Sequence, residues 1–143
     1  MKLQSFAFDN NGPLPPRFRG VNPPLDIIGV PPAAKSLALI MHDPDAVHGD
    51  FVHWTIFDID PTTTEILEGG APSGATEGLT TTDLPGYVGP RPPKGTGRHH
   101  YTFELYALDT LLDLLPATPL DELVAHIQKH TIARASLVGI VDA

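Results

Sequence analysis

Proline is the residue that most limits what this chain can become: 16 of its 143 positions are proline, and 13 more are glycine. A proline inside a helix removes a hydrogen bond and clashes with the preceding turn, and inside a central strand it removes a ladder bond. Regular structure is therefore confined to the stretches between prolines, and much of the remainder must be ordered loop. Pro13-x-x-Pro16 has the spacing of a polyproline ligand. A lone P-x-x-P is more simply a rigid surface crossing.

The stretches that remain read mainly as strands. Residues 3–8 form a short one, followed by a proline-rich crossing to about residue 35. Ser36 to Met41 is a continuous apolar run of strand length, as expected for a strand buried on both faces. Phe51 to Ile59 is rich in aromatic and β-branched residues, and Tyr101 to Leu108 alternates. Ala135 to Val141 closes the chain as a last strand. One helix is marked, with Thr118 as N-cap, Pro119 at the first helical position and Asp121 at the third. Leu120, Leu123, Val124 and Ile127 give it one apolar face, and Lys129 and His130 suit the negative end of its dipole. Between residues 60 and 100 no regular element is evident, and Gly86 to Gly95 reads as an ordered loop that shapes a site. The expectation is one mostly β domain spanning 1–143 with helix as an accessory.

Several function classes can be set aside. A net charge of −8 is a poor match to nucleic acid or to an anionic lipid surface. No apolar run approaches a membrane span, and Met1 to Ser5 lacks the apolar region of a secretory signal. Cysteine is absent, so neither disulfides nor thiolate chemistry are available, which suits a cytoplasmic protein. No metal-site, EF-hand or nucleophile motif occurs, and no cofactor is indicated.

Polar residues gather at three junctions of strand and loop. Asp43 and Asp45 follow the buried run, and in extended backbone their side chains point the same way. Capping of a turn competes with a ligand role for both; for Asp45 the two readings are equal, and for Asp43 the site is favoured. His53 shares a face with Phe51, Thr55 and Phe57 by strand parity, where a lone histidine is ordinarily a hydrogen-bonded core residue. His99 and Tyr101 share a face with Phe103, while His100 lies opposite. Together these supply two carboxylates, two imidazoles and a phenol from the ends of three strands.

The same residues carry a resemblance. Asp43-Pro44-Asp45-Ala46, His53-Trp54 and Gly89-Pro90-Arg91-Pro92-Pro93-Lys94-Gly95-Thr96-Gly97-Arg98-His99-His100-Tyr101 resemble the signature of the phosphatidylethanolamine-binding proteins. This is the family that includes Raf kinase inhibitor protein, and the chain looks like its bacterial YbhB/YbcL branch. The resemblance implies a β-sandwich of two antiparallel sheets with a few short peripheral helices. It implies an anion pocket formed by Asp43, Asp45, His53, Gly89, Pro90, His99 and Tyr101. It further implies a non-enzymatic protein that binds phosphate-like or phosphoethanolamine-like groups, is often a homodimer, and inhibits a kinase or protease or acts as a scaffold. The chain departs from the common pattern at Val47, Arg91 and His100, and in a shortened Phe18–Asn22 segment.

Ionised acids repel phosphate, so Asp43 and Asp45 need compensation. Protonated His53 and His99 would supply charge and donors, and the glycine-rich loop would supply backbone N–H groups. Two rival readings remain: a hydrolase using the Asp/His cluster as acid and base, and an interaction module whose pocket is not its functional part.

Overall fold

The computed structural model describes all 143 residues, and its architecture is organised about β4 (Ser36–Asp43). Antiparallel neighbours flank β4 on both sides: β5 (Phe51–Ile59) and β8 (Arg98–Leu108). β8 in turn pairs with β9 (Thr131–Asp142), and the two-residue strands β2 (Gly12–Pro13) and β7 (Thr76–Glu77) complete the edges. The resulting six-stranded order is β2-β9-β8-β4-β5-β7. A second, three-stranded sheet consists of β1 (Lys2–Gln4), β3 (Leu25–Ile28) and β6 (Glu65–Ile66). The protein is mostly β, as expected, with α1 (Leu120–His130) and a single 3-10 turn at Pro16–Arg19. The expectation of purely antiparallel sheets needs one correction, because β2 runs parallel to β9.

The apolar run of β4 follows from its position. Leu37, Leu39 and Met41 face the small sheet and join Leu3, Leu25, Ile27 and Ile66 in the main core. Ala38 and Ile40 face the other way, into a smaller cluster closed by Leu123 and Ile127 of α1. A strand covered by a sheet on one side and a helix on the other has no solvated face, so alternation disappears. No helix is long and apolar enough to cross a membrane.

Several boundaries and short elements differ from expectation, among them β3, which lies within the expected proline-rich crossing, and β8, which begins at Arg98 rather than Tyr101. The first strand stops at Gln4, and the chain then bends, with the Ala7 N–H donating to Ser5 Oγ. α1 is not capped by Thr118: that hydroxyl donates back to the Leu115 carbonyl, Pro119 is extended, and the helix begins at Leu120. At its other end α1 passes directly into β9 at Thr131, four residues before the expected start. The new stretch, Thr131 to Arg134, is small or exposed and buries little, so it carries no clear apolar pattern. Two short strands, β6 and β7, fall within the region expected to lack regular structure.

The pairing of β4 with β5 is irregular near the end of the sheet. Met41 pairs with Trp54 but His42 pairs with Val52, so His53 is an extra residue in the ladder. Such a bulge bends the strand and re-aims a side chain.

Candidate functional site

At the end of the main core, between β4, β5, β8 and the loop after residue 87, lies a cavity of about 360 Å³. Its floor is set by the odd-numbered residues of β4 and β8. Met41 and Phe103 are fully buried in the core, and one step further along the same face come Asp43 and Tyr101, then His99. The apolar part of each strand anchors the backbone, and the polar end of the same face lines the cavity.

His53 reaches this cavity through its bulge. Parity groups it with Thr55 and Phe57, and that grouping is wrong beyond Phe51: Thr55 pairs with Ile40 and Phe57 packs in the helix-side cluster. The inserted residue turns the His53 ring inward, 4.6 Å from the Phe51 ring centre and 5.3 Å from that of Tyr101. Its Nδ1 donates to the Val88 carbonyl at 2.6 Å, while the Val88 N–H donates to the His53 carbonyl at 2.9 Å. This two-way link fixes the loop against β5. Burial holds the His53 imidazole below its ordinary range, outweighing the Val88 bond and the Asp43 charge.

Asp43 and His99 form the deep wall, 2% and 1% exposed. Asp43 Oδ2 lies 2.7 Å from His99 Nδ1, and Asp43 Oδ1 accepts the Asp45 N–H at 2.9 Å. Asp43 thus caps the turn with one oxygen and, at the wall of the cavity, pairs with His99 through the other. His99 Nε2 is 2.7 Å from the Thr96 hydroxyl, which also lies 2.7 Å from the Pro93 carbonyl. Thr96 is not among the residues expected at the site; its only sequence signal is a hydroxyl three positions before His99. Tyr101 completes the wall, its phenol pushed upward by burial and then by the Asp43 charge, so it remains a donor.

The last wall depends on Gly89. Its backbone passes so close to the 3-10 turn that a Cβ there would sit 2.0 Å from the Arg19 carbonyl oxygen. The Tyr87 hydroxyl donates to the Phe18 carbonyl at 2.5 Å and ties the same two segments together. The shortened Phe18–Asn22 segment therefore still supports the cavity. The Gly89 N–H donates to no group of the chain. Val47, His48, Asp50 and Arg91 lie at the exposed rim.

Of the seven expected site residues, Asp43, His53, Gly89, His99 and Tyr101 line the cavity together. Pro90 is buried beside it without lining it. Asp45 lies elsewhere. β4 ends at Asp43, the chain turns, and the Asp45 carboxylate accepts from the His100 N–H and pairs with its ring at 2.7 Å. That His100 partnership holds the Asp45 carboxyl below its ordinary range. No group of three or more His, Cys, Asp or Glu side chains is arranged to hold a metal ion.

Comparison with known proteins gives the same fold and a family. A model of the family described as phosphatidylethanolamine-binding protein matches residues 4–142. A UPF0098 protein of Methanothermobacter thermautotrophicus is 40% identical over 98% of this chain and 97% of its own length. The crystal structure of CT736 from Chlamydia trachomatis, described as a homolog of the phosphatidylethanolamine-binding proteins, superposes with a TM-score of 0.91 at 34% identity, covering 99% of this chain and 97% of that one. YbcL of E. coli, described as a member of the mammalian family, gives 0.92 at 26% identity over 99% and 98%. With nearly its whole length matched in sequence and in architecture, this chain belongs to the phosphatidylethanolamine-binding protein family.

Proposed function

We propose that this protein binds a small phosphate-bearing ligand in the cavity walled by Asp43, His53, Gly89, His99 and Tyr101, and that it does so without catalysing a reaction. The observation that carries this reading is the pairing of two unengaged groups on one wall. The Gly89 N–H has no acceptor in the chain, and the neighbouring His53 ring has one nitrogen without a partner. Polar groups left open on a cavity are the usual means of fixing a ligand's orientation. The Tyr101 hydroxyl adds a donor, and Arg91 at the rim supplies positive charge for the approach of an anion. Both Asp43 oxygens are already engaged, which blunts the repulsion a free carboxylate would exert.

The hydrolase reading is weaker. Asp43, His99 and Thr96 do stand in the series carboxylate, imidazole, hydroxyl, but Thr96 is not part of the cavity lining. A hydroxyl behind the histidine cannot attack a ligand in front of it. We extend the proposal to a homodimer with a protein target of the kinase or protease type, as the family resemblance implies, and, on the absence of cysteine, to the cytoplasm.

Calorimetric titration with inorganic phosphate tests the central part. Asp43→Ala and His53→Ala should each abolish binding while the protein stays folded, and His100→Ala should change the affinity less than about threefold, since its ring is engaged by Asp45 on the other face. Loss of binding in His100→Ala with an unchanged melting curve would sink the assignment.

A further inference from the structure

The outer edge of β9 is closed over only part of its length. From Thr131 to Leu137 its one paired neighbour is β8, and only further on does the segment between β1 and the 3-10 turn take up the other side. There Asn10 Oδ1 accepts the Val138 N–H at 2.9 Å, and the Asn11 N–H donates to the Val138 carbonyl at 2.8 Å. The Leu14 N–H completes the clasp by donating to the Ile140 carbonyl at 2.9 Å. One turn delivers all three groups: the Gly12 N–H donates to the Asp9 carbonyl at 2.8 Å, and Asn11 takes a φ of 62°. A Cβ on Gly12 would lie only 3.0 Å from that Asp9 oxygen, so glycine suits the place.

The same glycine makes the peptide chemically labile. With no side chain on Gly12, its backbone nitrogen has open access to the amide carbon of Asn11, which is exposed and, unlike Asn10, not tied to β9 by its side chain. The other two asparagines lack this opportunity. Asn22 is buried, donates to the Pro23 and Leu67 carbonyls, and precedes a proline, which has no N–H. Asn10 precedes a residue with a side chain, and its amide oxygen is held by Val138. In the folded turn, however, reaction at Asn11 is withheld. A residue with positive φ at this place carries ψ between about 0° and +60°, which swings the next nitrogen away from its own side chain. That nitrogen's proton is also committed to Asp9.

We infer that Asn11–Gly12 is a deamidation site held shut by its own turn, and that its conversion to isoaspartate unfastens the clasp on β9. The Gly12 nitrogen attacks Asn11 Cγ, a new N–Cγ bond forms, the Cγ–Nδ2 bond breaks, and ammonia leaves with the Gly12 proton. Water then opens the cyclic imide at either carbonyl. Opening at Cγ leaves aspartate; opening at the former backbone carbonyl leaves isoaspartate, whose main chain runs through the side chain and is one carbon longer. The added atom falls between the Asn11 N–H and the Leu14 N–H, which must meet Val138 and Ile140 on one strand, so the two bonds no longer fit together. The edge of β9 is then open along its whole length, the condition in which a strand pairs with other chains.

Peptide mapping of the intact chain, aged at mildly basic pH with and without denaturant, tests this. Conversion should occur at Asn11 alone, and at least about tenfold more slowly in the native chain, because only molecules with the clasp open react. Asn10→Ala removes one bond of the clasp and should raise the native rate severalfold relative to that variant's own unfolded rate. In the separated isoaspartate form, amide exchange at Leu14 and Val138 should be at least about tenfold faster, with Leu39 and Ile56 unchanged. Equal native and unfolded rates, or a native rate indifferent to Asn10→Ala, would show that the turn is no gate. An Asn11 that stays intact in denaturant would remove the site, and unchanged exchange at Leu14 and Val138 would show that the clasp survives.

Discussion

On the outer face of the large sheet, His42 lies between two carboxylates, 2.8 Å from Asp50 and 3.2 Å from Glu104. On the inner face, His53 lies between a carbonyl and open cavity. His42 and Asp43 are adjacent in β4 yet serve opposite faces, so the two environments are one residue apart. The Glu104 bond, with Asp50, raises His42 to about 9, and the same bond lowers Glu104 to about 2. Burial drives His53 the other way. Outside, the groups of this network are paired with one another: Glu104 also receives the Tyr106 hydroxyl and Arg134, and Asp45 holds His100. Inside, partners are withheld at the His53 ring and the Gly89 amide. The number of histidines near a cavity therefore says little; what distinguishes a binding wall from a structural network is where hydrogen-bonding capacity is left unused.

The largest effect that could break this comparison is expected at Gly89. A methyl group there would overlap the Arg19 carbonyl oxygen, and backbone on both sides leaves no flexible atom to yield. Gly89→Ala should therefore cost about 3 kcal/mol or more in chemical denaturation and lose the cavity wall. A variant that unfolds like the parent would show that the inner wall is not held by this close approach.

A smaller effect, with opposite signs on the two faces, is expected from pH. The folded protein raises His42, so its stabilisation is complete below the unfolded value near 6.5 and is lost as pH rises through about 9. Since the ring is partly exposed, the loss is on the order of 1–2 kcal/mol after screening. For His53 the folded value is depressed, so the folded state binds fewer protons than the unfolded one and stability falls as pH drops through 6.5. Denaturation of the parent, His42→Gln and His53→Gln from pH 5.5 to 9.5 separates them. The first variant should flatten the alkaline arm and the second the acid arm; both variants flattening the same arm would mean the two faces do not differ as described.

Much of this is legible in the sequence, for physical reasons that can be named. The unbroken apolar run of 36–41 announces a strand without a solvated face, and alternation in 99–103 places His99 and Tyr101 on one side and His100 on the other. Parity fails at His53 because a period-two argument cannot see an inserted residue. It fails at Asp45 because β4 ends at Asp43, and beyond a strand's end the alternation no longer applies. Thr96 is hidden because its partner is set by the approach of the loop to β8, and the start of β9 is hidden because its first residues bury little. Composition and pattern locate the walls; the unpaired nitrogen of His53 needs the fold.

The most direct test of the difference between the faces is to follow the ring carbon–proton resonances of His42, His53, His99 and His100 as inorganic phosphate is added. Saturable shifts at His53 and His99, with His42 and His100 stationary, are what a ligand in the inner cavity produces. Saturable shifts at His42 or His100 with His53 unmoved would place the anion on the outer network and contradict the account.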